Sequence, residues 1–297
     1  MNGLPLEVTG LCKQFGTVRA LDELSFAVRP AAVTGFLGPN GAGKTTTLRC
    51  LLGLVAATSG TATIGGARYH DLPNPTRTVG AALEAASFHP GRSARAHLEV
   101  LALAAGVPAA RVDTLLAQVG LVEHANRRVG GYSLGMRQRL ALASALVGDP
   151  PVLLLDEPAN GLDPAGIAWL RDLLRFFAAE GRTVLISSHV LSEVQQIVDD
   201  VVVIARGRLV REGALADLES GQAAVLVRTP TPEQFRAAVA DLTVEPGVDG
   251  RLRVVGGTPE EIGHRAFEHG VELHELAAEP SDLEKIFLRL TGEEEPG

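Results

Sequence analysis

Cysteine is nearly missing from this 297-residue chain: there are two, Cys12 and Cys50, far apart in sequence. That excludes a disulfide framework and a zinc site built on paired thiols, and both are expected to be reduced and in or near a core. Nor is there any run of lysine or arginine, and the net charge is −8. Such a balance does not attract a polyanion, so no direct nucleic-acid partner is expected. No stretch approaches the roughly 18–20 consecutive apolar residues of a membrane span. The opening, Met-Asn-Gly-Leu-Pro-Leu-Glu-Val, has no basic segment and no long apolar core, so it does not read as a signal peptide. A cytoplasmic chain is expected, with any membrane link made through a partner. The rest of the composition, 46% hydrophobic and 21% charged, is that of a globular protein. The length suits one large domain and a small one.

One stretch carries most of the chemistry. Residues 38–45 read Gly38, Pro39, Asn40, Gly41, Ala42, Gly43, Lys44, Thr45, which fits the P-loop pattern G-x-x-x-x-G-K-[ST]. Phosphate is large, anionic and rich in acceptors. Binding it on a backbone needs inward N–H groups and no side chains in the way, which the three glycines allow. The helix that follows, from Thr46 on, adds the positive end of its dipole. Lys44 is placed to reach the β- and γ-phosphates of a nucleoside triphosphate, and Thr45 to hold Mg²⁺.

Residues 6–30 alternate as an antiparallel β segment. The apolar runs at 33–37, 152–155, 183–187 and 201–205 read as buried strands, with helices between them. That alternation predicts an α/β core around a largely parallel sheet. Residues 92–148 interrupt it as a helical lobe carrying Leu98, Leu101, Leu115, Leu116 and Val119. A boundary falls near 219–222. Beyond it, strands at 224–228, 250–255 and 271–276 alternate with capping boxes at Thr231 and Thr258, and Ser281 caps a last amphipathic helix. The smaller unit, 223–297, thus has a β-α-β-β-α-β pattern plus a helix.

Val152–Leu155 is followed by two acids. A buried strand holds a carboxylate rigidly at its C-terminal end. Asp156 is placed to orient Mg²⁺ and Glu157 to polarise an attacking water. Two further signals complete the set. Tyr132-Ser133-Leu134-Gly135-Met136 precedes the acidic pair, and His189 follows the strand at 183–187.

In this order, the P-loop, residues 132–136, the acidic pair, Asn160-Gly161-Leu162-Asp163 and His189 resemble the ATP-binding cassette family over roughly residues 4–219. The resemblance implies a P-loop NTPase cassette with an antiparallel β subdomain and an inserted helical subdomain, about 85–150. It implies an ATPase using ATP and Mg²⁺, in which two cassettes pack head to tail as a homodimer. The Ser133 hydroxyl and Gly135 N–H of one copy would face the γ-phosphate held by Lys44 of the other. Ser133 also reads as an ordinary helix N-cap, and the two roles use the same helix end. His189 matches the switch histidine beside γ-phosphate, and Asp163 the acid that links the two sites, besides being an Asp-Pro turn residue. Phe15 matches the aromatic that stacks on adenine.

The pattern departs from the family in two places. Glu84 stands where a glutamine usually reaches Mg²⁺ and the membrane partner, and an ionised carboxylate cannot donate a hydrogen bond. Leu134 and Met136 stand where glycine and glutamine are commoner. With the C-terminal extension and the segment 282–292, this set resembles the branch serving drug and antibiotic exporters of the daunorubicin or bacitracin resistance kind. That implies a separate integral-membrane permease docked near 84–90, holding the ATPase on the inner face of the cell membrane. The alternative is a soluble cassette ATPase acting on ribosomes or DNA, for which the usual second cassette, coiled-coil or zinc insertion is missing.

Overall fold

The computed structural model describes residues 2–83, 88–190, 195–220 and 224–278. They form two compact units that divide between Gly213 and Ala214. Glu84 and the segment from 279 onward, with the expected cap at Ser281, lie outside the described residues.

The first unit holds two sheets. Strands β1 (Leu6–Phe15), β2 (Val18–Val28) and β4 (Ser59–Ile64) make an antiparallel sheet in the order β2-β1-β4. The second sheet has six strands. They are β3 (Ala32–Leu37), β5 (Val79–Ala82), β6 (Val152–Asp156), β7 (Thr183–Ser188), β8 (Asp200–Ala205) and β9 (Arg208–Ala214). Their order is β5-β6-β7-β3-β8-β9, and the first five run parallel. Every residue of β3 and β7 is buried, as parallel strands covered on both faces require. Between the sheets sits a core of leucines and valines, with Phe26 and Phe36 stacked at 5.1 Å between ring centroids. Each fully buried side chain of this kind contributes about 1.5–3 kcal/mol.

Helices fill the gaps between strands. α1 (Lys44–Leu51) follows β3, and the short α2 (Pro75–Thr78) leads into β5. α3 (Ala94–Ala104), α4 (Ala110–Gln118) and α5 (Leu134–Ala145) pack on one another through Leu98, Ala102, Leu115, Leu116 and Leu140, forming the helical lobe. α6 (Pro164–Ala179) packs on β3 and β7. The edge strand β9 has no counterpart in the sequence reading. It is polar and mostly exposed, so it shows no apolar run.

The parallel register decides where the chemistry meets. Leu37 at the end of β3 lies beside Ser188, and Ser187 lies beside Asp156. The loops leaving β3, β6 and β7 therefore emerge side by side at the carboxyl edge of the sheet, where open α/β sheets bind ligands.

The second unit begins with α7 (Leu215–Ser220). Strands β10 (Ala224–Arg228), β11 (Thr243–Pro246), β12 (Leu252–Val255) and β13 (Glu275–Ala278) form an antiparallel sheet in the order β11-β12-β10-β13. α8 (Pro232–Ala238) and α9 (Pro259–Glu268) supply Phe235, Ile262 and Ala266 to its core. This is a β-α-β-β-α-β unit with the strand order of a ferredoxin-like sheet. Two details correct the sequence reading. The capping box forms at Thr258, whose hydroxyl accepts from Glu261 N while the Glu261 carboxylate accepts from Thr258 N. At Thr231 it does not, because that residue's φ of −123° and ψ of 69° place no side-chain cap on α8. The last strand lies at 275–278, not 271–276: Val271 is buried in the core and His274 N already bonds to Arg228 O.

Candidate active site

The P-loop is shaped by close backbone packing. Gly43 has φ +109°, and a Cβ there would stand 2.7 Å from Leu21 Cδ2 and 2.9 Å from the Ala20 carbonyl. A Cβ on Gly38 would stand 2.5 Å from the Ile204 carbonyl. Glycine is the residue that lets the loop lie this close to β2 and β8. Pro39, Asn40 and Gly41 form its turn, closed by Ala42 N donating to Pro39 O at 3.1 Å. Gly43 is also the N-cap of α1 and brings no capping side chain. The leading N–H groups of α1, from Lys44 through Thr46, thus present an anion site of backbone donors.

Lys44 is 6% exposed and folds over its own loop. Its Nζ donates to Gly38 O at 2.6 Å and to Pro39 O at 3.2 Å, and lies 3.7 Å from Glu157 Oε1. Burial pushes its pKa below the ordinary lysine value, and the carboxylates of Glu157 and Asp156 pull it partly back.

Asp156 ends β6. Its Oδ2 accepts from Thr45 Oγ1 at 2.7 Å, and its Oδ1 from the Ser187 hydroxyl at the end of β7. A threonine hydroxyl and a carboxylate converging at a P-loop are hard oxygen donors of the kind Mg²⁺ takes, so these two residues fit that ion.

Glu157 has φ +50°, uncommon for a residue with a side chain. Its N–H donates to Ser187 Oγ at 3.0 Å, and its carbonyl accepts from Asn160 N at 3.1 Å and Gln138 Nε2 at 3.0 Å. Its carboxylate accepts from His189 Nδ1 at 2.9 Å through Oε2. Five of the residues singled out from sequence, Lys44, Thr45, Asp156, Glu157 and His189, therefore form one connected cluster. Ser187 and Gln138 belong to it as well. Neither is marked in sequence by residue type: Ser187 reads as the last residue of a strand and Gln138 as one more polar position on a helix.

The remaining candidates stand apart from this cluster. Ser133 is the N-cap of α5, accepting from Met136 N at 3.2 Å. Gly135 lies in the first turn of the same helix. Leu134 packs on Gly161, where a Cβ would stand 2.2 Å from its Cδ2. Asp163 caps α6, accepting from Gly166 N at 2.8 Å. Phe15 ends β1, about half exposed, with Lys13 Nζ 4.7 Å from its ring centroid.

Comparison with known proteins agrees with this geometry. Residues 21–160 match the ABC transporter family, and residues 223–284 match a domain of unknown function (DUF8746). The chain is 36% identical to the bacitracin transport ATP-binding protein BcrA of Bacillus licheniformis, over 97% of each chain. It is also 36% identical to the Nod factor export ATP-binding protein I of Burkholderia pseudomallei, over 99% of each. Among solved structures, the ATP-binding subunit of an ABC transporter superposes with TM-score 0.66 at 28% identity, covering 72% of this chain and 91% of that one. With relatives this similar along nearly their whole length, and with the P-loop, Asp156 and Glu157 assembled at one sheet edge, the chain belongs to the ABC transporter ATP-binding family and is an ATPase.

Proposed function

We propose that this chain is the ATP-hydrolysing subunit of a two-component exporter that moves a drug, antibiotic or lipid-like molecule. The observation that carries the catalytic part is the position of Glu157. Its carboxylate is held by His189 on one side and faces the Lys44 ammonium on the other, next to the Thr45–Asp156 pair.

The residues divide the work as follows. Backbone donors of residues 38–46 and the α1 N-terminus hold the phosphates. Lys44 exchanges its carbonyl partners for the β- and γ-phosphates. Thr45 and Asp156 would hold Mg²⁺, which would supply positive charge against the transferring phosphoryl group. Glu157 accepts the proton of the attacking water. His189 orients Glu157 through Nδ1, and its Nε2 would meet the γ-phosphate. Phe15 stacks on adenine once Lys13 moves aside. By resemblance to the family, Glu84 would serve Mg²⁺ and the contact with the permease.

ATP closes a head-to-tail homodimer in which Ser133 and Gly135 of one copy complete the site of the other, and Asp163 lies at their junction. Hydrolysis reopens it. Among the described residues no helix is long and apolar enough to cross a membrane, and transport is assigned to a separate permease. A cleft of about 480 Å³ between α1, the end of β5 and the helical lobe suits its docking. Leu52, Leu54, Leu83 and Phe88 line it, with His97. Burial, and then the charge of Arg92, hold His97 below the ordinary histidine pKa, so it is neutral at pH 7 and adds no charge there. The relatives named for bacitracin transport and Nod factor export support an exporter over a ribosome- or DNA-directed ATPase.

Glu157→Gln is the test of the catalytic reading. It is expected to keep ATP binding, lose at least about a hundredfold in turnover, and accumulate a dimer of doubled molar mass on ATP, read by light scattering. Turnover near the parent rate contradicts the general-base role.

A further inference from the structure

We infer that Gln138 is a positioning residue for ATP hydrolysis: it ties helix α5 to the peptide that carries the general base. The inference rests on Glu157 acting as that base.

Glu157 is the most demanding backbone position in the cluster. A left-handed φ on a residue with a side chain is strained and persists where surrounding contacts fix it. Two side chains do so here. Ser187 Oγ takes the Glu157 N–H, and Gln138 Nε2 donates to the Glu157 carbonyl at 3.0 Å. The same Gln138 nitrogen donates to Asn160 O at 3.3 Å. One amide nitrogen thus bridges the two ends of the 157–160 turn. The acceptors are backbone carbonyls, so the amide orientation is fixed by chemistry: its oxygen in that place meets only other acceptors.

Gln138 lies one turn beyond Ser133 and Gly135 on α5. Two further contacts join that helix to the residue after the turn and to α6. Leu134 packs on Gly161, and the Arg139 guanidinium sits 4.2 Å from the ring centroid of Trp169 on α6. Gln138, Asp156, Pro158, Leu162 and Trp169 line a narrow, partly open pocket with room of only about 10 Å³. There is little slack for Gln138 to move without moving the turn. A shift of α5 therefore reaches Glu157 through the bond to its carbonyl, and the far end of the turn through the bond to Asn160 O. In the head-to-tail dimer, the α5 N-terminus meets the partner's nucleotide, so the tie passes that contact to the base on its own chain.

The test is Gln138→Met, close in volume, uncharged and without donors, with Gln138→Glu as the nearly isosteric second variant. Steady-state ATPase is measured with the thermal midpoint and the emission of Trp169, the chain's single tryptophan. The expected result is a kcat lowered about ten- to hundredfold, KM for ATP within twofold, and parent-like midpoint and emission. Parent-like kcat in Gln138→Met overturns the inference. So does a loss of kcat matched by lower ATP affinity and a lower midpoint, which marks a merely structural role. Glu157→Gln is assayed alongside. If it hydrolyses ATP at the parent rate, the base assignment falls and this inference with it. If it is inactive while Gln138→Met is parent-like, this inference alone fails.

Discussion

Lys44 carries a charge into a place where 6% of its surface meets solvent. That charge serves phosphate and is a burden to the nucleotide-free fold. Its pKa is depressed by burial, so the folded state binds this proton less tightly than the unfolded chain does. At neutral pH the term opposes folding. It is relieved as pH rises from the folded pKa towards the unfolded value, the reverse of the behaviour of a paired lysine. Lys44→Met is therefore expected to leave the nucleotide-free thermal midpoint equal or higher, with the difference shrinking as pH rises. It is expected to abolish stabilisation by Mg·ATP, which for the parent at a hundred times Kd is about 2.7 kcal/mol. Thermal scans across pH, with and without Mg·ATP, check both. A lower nucleotide-free midpoint contradicts the reading. Gln138 and Ser187 belong at this scale too: they act on the backbone of Glu157 and leave no mark in the sequence beyond their type.

At the scale of elements, the turn between β8 and β9 supports the P-loop from behind. Gly207 N donates to Ala42 O at 2.9 Å, and Gly207 O accepts from Asp22 N at 2.9 Å. Arg208 and Arg19 both pair with Asp22 beside it. Gly207 has φ +76°, and a Cβ there would stand 2.6 Å from Ala20 O and 2.9 Å from Leu21 Cα. Gly207→Ala must move β2 or the turn, and either displaces the loop. It is expected to cost about 1–3 kcal/mol in denaturant unfolding and to raise KM for ATP several-fold. Gly106→Ala is the control: φ is +62° there, and nothing lies within 4 Å of an added Cβ. It carries the strain alone, about 1 kcal/mol, with ATP kinetics unchanged. Equal KM in the two variants contradicts the supporting role of the turn.

At the scale of the molecule, four of the five parallel strands, β3, β6, β7 and β8, are legible because each is a short apolar run, and the P-loop because its glycines and lysine have one chemical use; β5, Val-Gly-Ala-Ala, is too short and small to stand out. What escaped reading was settled by packing. The edge strand β9 is polar, so no apolar run marks it. Thr231 has the letters of a capping box, but its backbone is not in the capping conformation. Val271 looks like the start of a strand and serves instead as a core plug before one. Convergence of Asp156, Ser187 and His189 depends on strand order, which local sequence does not encode. The exporter reading depends on a partner that lies outside this chain. Purification of the chain with its native partners, from its own cells in mild detergent, tests that claim most directly. A stoichiometric multi-span membrane protein is the expected result. Ribosomal or DNA-repair proteins without any membrane protein would contradict the transport role and leave the ATPase standing.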